Sequence, residues 1–314
     1  MLTSRWSGRF RATRFSAAHR RVICRFPMIL HKYLPPSRVD VLERCAIRYT
    51  QPAAFNDPFD AKPYLGDIDP RDERFEREID LMLKDEIVKL YSSLSEEIRA
   101  QMTFETALSL ATSLREQQRG KFASYANAFI PEIRRTMQSV FDEQIGILSL
   151  SADPFSILMW SHYTDCHTGF VIGFDSGHSH FNQKRNPDDE FNHLRKVEYR
   201  ERRPNAPFPN LDGADVFLAK ALDWGYEREW RILRPIADAP IKLPSTDPPI
   251  CLFPFPPDCI VEVILGARLA RETKEQLIAA TRSSPALSRA EWRQAVLSET
   301  EFKPNPSTDR SSPW

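Results

Sequence analysis

Glycine is scarce, at 10 of 314 residues, while proline reaches 25. That balance excludes long flexible linkers and implies fixed, irregular connections. No Gly-rich phosphate loop is present and regular βαβ spacing is absent, which argues against a Rossmann or P-loop nucleotide-binding fold. Cysteine is limited to five residues, Cys24, Cys45, Cys166, Cys251 and Cys259, with no CxxC pair. An odd count without paired spacing argues against a disulfide framework or a cysteine-rich zinc site, and it fits a reduced, cytoplasmic setting. No apolar run approaches the roughly 20 residues that span a bilayer, so no membrane partner is expected. Net charge is absent as well, because 43 basic residues balance 43 acidic ones. No global field therefore draws the chain to nucleic acid or membrane.

What is present is an ordinary globular composition, 41% hydrophobic and 27% charged. The length suits one large domain or two small ones. Acidic residues are missing from the start: residues 1–27 hold seven arginines, and the first carboxylate is Asp40. An Arg- and Ser-rich, acid-free segment is compatible with a mitochondrial transit peptide. A disordered or over-extended N-terminal segment before the first strand, at Ile29–Tyr33, explains it as well, and residues 1–27 are read that way.

The pattern predicts an α+β fold with mixed, mostly antiparallel sheets of about seven short strands. Strands are expected at Ile29–Tyr33, Ala46–Gln51, Ile145–Ser151, Gly169–Phe174, Val197–Tyr199, Tyr226–Leu233 and Cys259–Leu265. Residues 71–143 carry apolar positions at helical spacing among many charges and are read as a helical insertion. A single domain is expected over 28–285, with a short helix and disordered tail at 286–314. Ser37 reads as a helix N-cap, Asp153-Pro154 as the start of a helix, and Asp215–Leu222 as a short helix.

Four constellations can carry chemistry. Strand alternation over Tyr226–Leu233 puts Glu227, Glu229 and Arg231 on one face. That strip is either a solvated ion pair or a carboxylate pair lining a cleft, tuned by Arg231. In Met159–His167, the neighbours Ser161, His162 and Asp165 argue against a triad, because triad members converge from separate segments. Trp160 there reads as core, and His162 or Tyr163 as a ligand contact. The Phe55–Asp60 turn is either a structural Asx-turn or a ligand contact through Asn56. Asp57 and Asp60, with His162 and His167, make the alternative of a mixed metal site for a hydrolase, although no metal is the main expectation. Finally, His31 and Tyr33 share a face of the first strand.

Taken together, the motifs resemble a family of uncharacterised, mostly bacterial proteins, domain of unknown function 2971. The resemblance rests on Lys32-Tyr33, Phe55–Phe59, Ser149–Ser151, Met159–Tyr163, His167–Gly169, Lys220, Trp224–Arg231 and Val263–Gly266, in order over about 28–280. More distantly, the layout is similar to ADP-ribosyltransferase-like folds, with a first-strand His, a second-strand Tyr and a late Glu-x-Glu. That resemblance implies NAD as substrate and a protein or nucleic-acid acceptor, in bacterial defence or stress. It assigns Glu229 to the ribosyl cation and Glu227 to the acceptor. His31 would hold the adenosine-side ribose, and Tyr33 or Tyr49 would stack on nicotinamide. The competing expectation is a non-catalytic module that senses a nucleotide-like ligand.

Overall fold

The structure, a computed structural model, describes residues 28–307 except 63, 66–68, 70–72, 207–212, 245, 283 and 285. The N-terminal segment 1–27 lies outside the described residues. Strand β1 (Ile29–Leu34) leads through a 3-10 turn to helix α1 (Asp40–Arg44) and strand β2 (Ala46–Arg48). A two-residue strand, β3 (Tyr64–Leu65), precedes helices α2 (Glu73–Ser93), α3 (Glu96–Gln101), α4 (Phe104–Gln117) and α5 (Arg119–Gln144). Then come β4 (Ile145–Ser151), α6 (Ile157–Tyr163) and β5 (Phe170–Asp175). Short strands β6 (Arg195–Lys196), β7 (Glu198–Arg200), β8 (Asn205–Ala206) and β9 (Ala219–Ala221) lead to β10 (Glu229–Pro235). The chain closes with β11 (Ile241–Leu243), β12 (Ile250–Pro254), β13 (Ile260–Leu265), α7 (Arg271–Arg282), β14 (Glu291–Leu297) and β15 (Pro304–Pro306).

The expected α+β class is what the chain adopts. An eight-stranded sheet runs in the order β15-β14-β13-β5-β1-β4-β10-β6, and a second sheet in the order β11-β12-β2. Within the large sheet only β13 and β14 pair in parallel. Strand β5 is buried from Phe170 to Phe174, so its apolar run is continuous rather than alternating. Leu30, Ile172, Phe174, Val263 and Leu265 join residues of β2 and β12 in the main core. Gly169 permits the close crossing at the foot of β1, since a Cβ there would sit 2.1 Å from the Leu34 carbonyl oxygen.

The helical insertion falls where the periodicity puts it, in α2 to α5. Helices α2 and α4 pack through Tyr91 against Phe104, and Arg115 pairs with Glu76 and Asp80. Helix α5 returns to the sheet, where Phe141 meets Phe217 edge-on at 4.9 Å. Among the described residues no helix is long and apolar enough to cross a membrane.

Four local readings change. Ser37 lies inside the 3-10 turn Pro36–Arg38, and Val39, without a side-chain cap bond, precedes α1. The segment read as a short helix and tail contains β14, whose residues are half-exposed or exposed except for the buried Ala295. An outlying strand paired to a central one needs no strong alternation, so periodicity missed it. Helix α6 is capped by Ser156, whose hydroxyl accepts from the Met159 amide. Asp153 instead turns back on the Phe155 amide, 2.9 Å away. The segment read as a helix at Asp215–Leu222 is a 3-10 turn followed by β9.

Candidate functional site

The large sheet splits between β1 and β4. Strand β1 pairs with β5 at six positions but with β4 only at His31 and Ser151. Farther along, β4 is bridged instead by Thr50, just beyond β2, through reciprocal 2.9 Å bonds with Ile147. Ser149 and Leu150 lie in the gap, and the Ser149 carbonyl is met by the Lys32 ammonium at 3.0 Å. This branch point opens a cleft of about 430 Å³. Lys32, Tyr33, Arg48, Asn56, Tyr163, Lys220, Glu227 and Glu229 are among the residues lining it.

The charged strip is not a solvated edge. Glu227 and Glu229 are 3% exposed and Arg231 is fully enclosed. Nor is it one continuous strand. Residues Leu222–Glu227 form 3-10 turns, Arg228 is left-handed at φ 46°, and β10 begins only at Glu229. Backbone anchors hold this kink: Ser151 Oγ donates to the Glu227 carbonyl at 2.6 Å, and the Glu229 amide donates to the Tyr199 hydroxyl at 2.8 Å.

Five buried ionic side chains meet here. Arg231 uses all five of its N–H donors. They reach Glu229 (2.7 and 2.9 Å), Asp60 (2.8 and 2.6 Å) and the Phe217 carbonyl (2.7 Å). Lys220 contacts Glu227 at 2.5 Å, Glu229 at 3.1 Å and Asp60 at 3.3 Å, with the Trp224 ring 5.0 Å away. Fully satisfied buried networks of this kind rigidify a site. Burial alone would push Glu229 upward, but the Arg231 and Lys220 charges overcome it and hold its carboxyl well below the usual range. Glu227 moves the other way: burial raises it, Lys220 only partly offsets this, and the Glu229 charge adds to the rise. Two neighbouring carboxylates are thus shifted in opposite directions.

The rim connects to Glu227. Tyr163 donates to Glu227 Oε1 at 2.6 Å, and the Asn56 amide nitrogen lies 3.4 Å from the Tyr163 hydroxyl. Burial, then the Glu227 charge, raises the Tyr163 phenol, so it stays a donor. His162 Nδ1 is 3.2 Å from the Tyr226 hydroxyl at the mouth. The Phe55–Asp60 turn acts structurally and as a carrier. Asp57 Oδ1 accepts from the Phe59 amide at 2.8 Å, which is the Asx-turn, and the turn delivers Asp60 to Arg231.

Several expected residues stand elsewhere or are occupied. Tyr49 does not reach the cleft: its ring is fully buried against Phe253 and under Arg234. Strand alternation sends Tyr49 into the core and its neighbour Thr50 toward the cleft. Tyr33 lines the cleft, but its hydroxyl is spent on the Asp153 carbonyl at 2.6 Å and its ring packs edge-on against Trp160. His31 also lines the cleft, with Nε2 2.7 Å from Glu262 and Nδ1 3.3 Å from the Ser151 carbonyl. Gly173 makes room for Glu262, since a Cβ there would lie 2.5 Å from its side chain. Arg231 sits behind the carboxylates and is not part of the lining.

Trp160 is core, as its apolar surroundings lead one to expect. It is wholly buried, and its indole N–H reaches the Pro154 carbonyl at 2.8 Å. The four residues of the metal alternative do not converge. Asp57 is held in its own turn, Asp60 is bound to Arg231 and Lys220, and His167 stacks on Trp160. Among the described residues no group of three His, Cys, Asp or Glu could hold a metal ion. Sequence reasoning missed the roles of Lys32, Arg48 and Lys220; for Lys220 the available signal was its place in the family pattern.

A family model described as "Protein of unknown function (DUF2971)" matches residues 159–232. The match supports the resemblance to that family over a segment holding Tyr163, Lys220, Glu227, Glu229 and Arg231. No curated protein and no solved structure matches the chain.

Proposed function

We propose that the cleft binds a nucleotide-like ligand and that the chain is a NAD-using ADP-ribosyltransferase-like enzyme. The observation that carries this reading is the split carboxylate pair. Glu229 is held ionised and Glu227 is raised, side by side on Lys220 at one end of an open cleft.

Cleaving nicotinamide from NAD breaks the N-glycosidic bond. The bonding pair leaves with nicotinamide, and positive charge develops at the ribose C1′. An ionised carboxylate held against that carbon stabilises the charge, as in glycoside hydrolysis. A hydroxyl of the acceptor, or water, then bonds to C1′ and gives its proton to Glu227. A raised carboxyl serves as such a base better than an ordinary one, since its pKa lies nearer the working pH. Tyr163 orients Glu227, and Asn56 and His162 are placed at the rim to meet the ligand.

Incubation of the protein with NAD tests this through nicotinamide release by chromatography. Release is expected from the wild type and not from a Glu227→Gln, Glu229→Gln double variant. Full turnover by that variant would sink the mechanism. A second reading has one observation in its favour: Arg231 and Lys220 are already satisfied internally, as in a structural ion lattice. A non-catalytic sensing module would show ligand-induced thermal stabilisation without turnover.

A further inference from the structure

Beside the buried ion lattice, the cleft is lined by two further cations, Lys32 and Arg48, that form no salt bridge among the described residues. Lys32 projects from β1, and the hydrogen bond of its ammonium goes to a neutral acceptor, the Ser149 carbonyl at 3.0 Å. Arg48 projects from the end of β2. Its Nε is buried without a hydrogen-bond partner, and its guanidinium forms no ion pair among the described residues. The nearby Arg38 differs, because Asp40 neutralises it at 2.8 Å. At the lattice, by contrast, Lys220 and Arg231 are each bonded directly to carboxylates of Asp60, Glu227 and Glu229. Lys32 and Arg48 leave two positive charges in the same cavity. Glu229 and Glu227 reach Lys32 only through space, so neither Lys32 nor Arg48 has a bonded anion, and the Arg48 fork is chemically incomplete.

We infer that Lys32 and Arg48 form an anion subsite for a phosphate or diphosphate group, so that the cleft selects a phosphorylated nucleotide over its nucleoside. A guanidinium fork with a free Nε matches two phosphate oxygens, and an ammonium adds a point charge beside it. Burial chiefly lowers the Lys32 ammonium and the Arg48 charge adds to the fall, so the two cations are within electrostatic reach of each other. A bound phosphate relieves that repulsion and gives the buried Nε its missing acceptor. With the phosphate seated there, the rest of a nucleotide has the remaining cavity to extend toward Glu227 and Glu229. The inference rests on the nucleotide reading for the identity of the ligand but not for the subsite itself.

Titration calorimetry on the full chain tests it with ADP, inorganic pyrophosphate and adenosine. ADP and pyrophosphate are expected to bind, more weakly as salt rises, with adenosine at least about tenfold weaker than ADP. Arg48→Met should weaken ADP by roughly 10- to 100-fold and leave adenosine unchanged. Lys32→Met should act in the same direction. If it unfolds because the Ser149 carbonyl loses its donor, the half-exposed Arg48 decides alone. Equal affinity for adenosine and ADP, unchanged ADP affinity in Arg48→Met, or no anion binding at all overturns the inference. Glu227→Gln separates the two claims, since it should keep pyrophosphate binding. Arg48-dependent pyrophosphate binding without nicotinamide release sinks the activity alone; NAD turnover with unchanged ADP affinity in Arg48→Met sinks the subsite alone.

Discussion

Replacing Arg231 with Met removes a guanidinium that is fully enclosed and makes five hydrogen bonds. The methionine fills much of the volume, so the cost is chiefly electrostatic. Glu229 and Asp60 stay buried with Lys220 as their shared cation. Breaking a buried pair by removing one partner costs about 3–5 kcal/mol. For a domain of this size that corresponds to a fall in Tm of roughly 10 °C. The pH dependence is the sharper readout. In the wild type Glu229 is depressed, so its contribution is present above the unfolded carboxylate range and is lost as pH falls through the folded value. In the variant, burial is opposed only by Lys220 and the Ser149 hydroxyl, so Glu229 rises relative to the wild type. The deficit should then be largest near neutral pH and shrink as pH falls through the variant's folded Glu229 pKa toward the depressed wild-type one. Urea unfolding of both proteins at intervals between these limits measures it. A deficit below about 1 kcal/mol, or one that grows as pH falls, refutes the view that Arg231 is the counter-ion of this site.

The paired glutamates should respond unequally to amide substitution. Glu229→Gln is expected to lose about 2–4 kcal/mol in urea unfolding at neutral pH, because it removes a charged partner from Arg231. Glu227→Gln is expected to lose less, about 1 kcal/mol, since burial and the Glu229 charge already work against its ionised form; the reverse order contradicts the split. Tyr163→Phe removes a bond that helps hold Glu227 ionised, so any NAD turnover should fall by about tenfold and its acid limb should move to higher pH. An unmoved limb in the pH–rate profile dissociates Tyr163 from Glu227. Lys32 is lowered from 10.5 to about 8, chiefly by burial, with Arg38 and Arg48 adding to the fall and Glu229 and Glu227 opposing it. Between those values the unfolded chain holds a proton that the folded one has lost. Wild-type stability relative to Lys32→Met should therefore rise as pH increases from about 8 to about 10, measured by denaturant midpoint.

The sequence pattern made much of the fold legible and part of the site. Apolar spacing located α2 to α5, and continuous or alternating runs located β1, β4 and β5, because each buries a face wide enough to leave a period. β14 left almost none, since Ala295 is its single buried residue. The Trp224–Arg231 block was visible as a charged strip, and its three candidates do converge. The reason differs from plain alternation: a left-handed Arg228 and the arrival of Lys220 from β9 bring Glu227 beside Glu229. Lys32 and Arg48 were invisible as a pair because their importance lies in what they do not contact, and missing partners leave no mark in a sequence. Tyr49 was misplaced for a simpler cause: the choice between it and Thr50 is one step of strand alternation.

Nicotinamide release from NAD tests most directly the proposal that this cleft carries out chemistry at a ribose. The expected result is time-dependent release by the wild type, abolished in Glu227→Gln while that variant still binds ADP and unfolds close to the wild-type denaturant midpoint. No release by the wild type, or undiminished release by Glu227→Gln, contradicts the assignment of the carboxylate pair to catalysis.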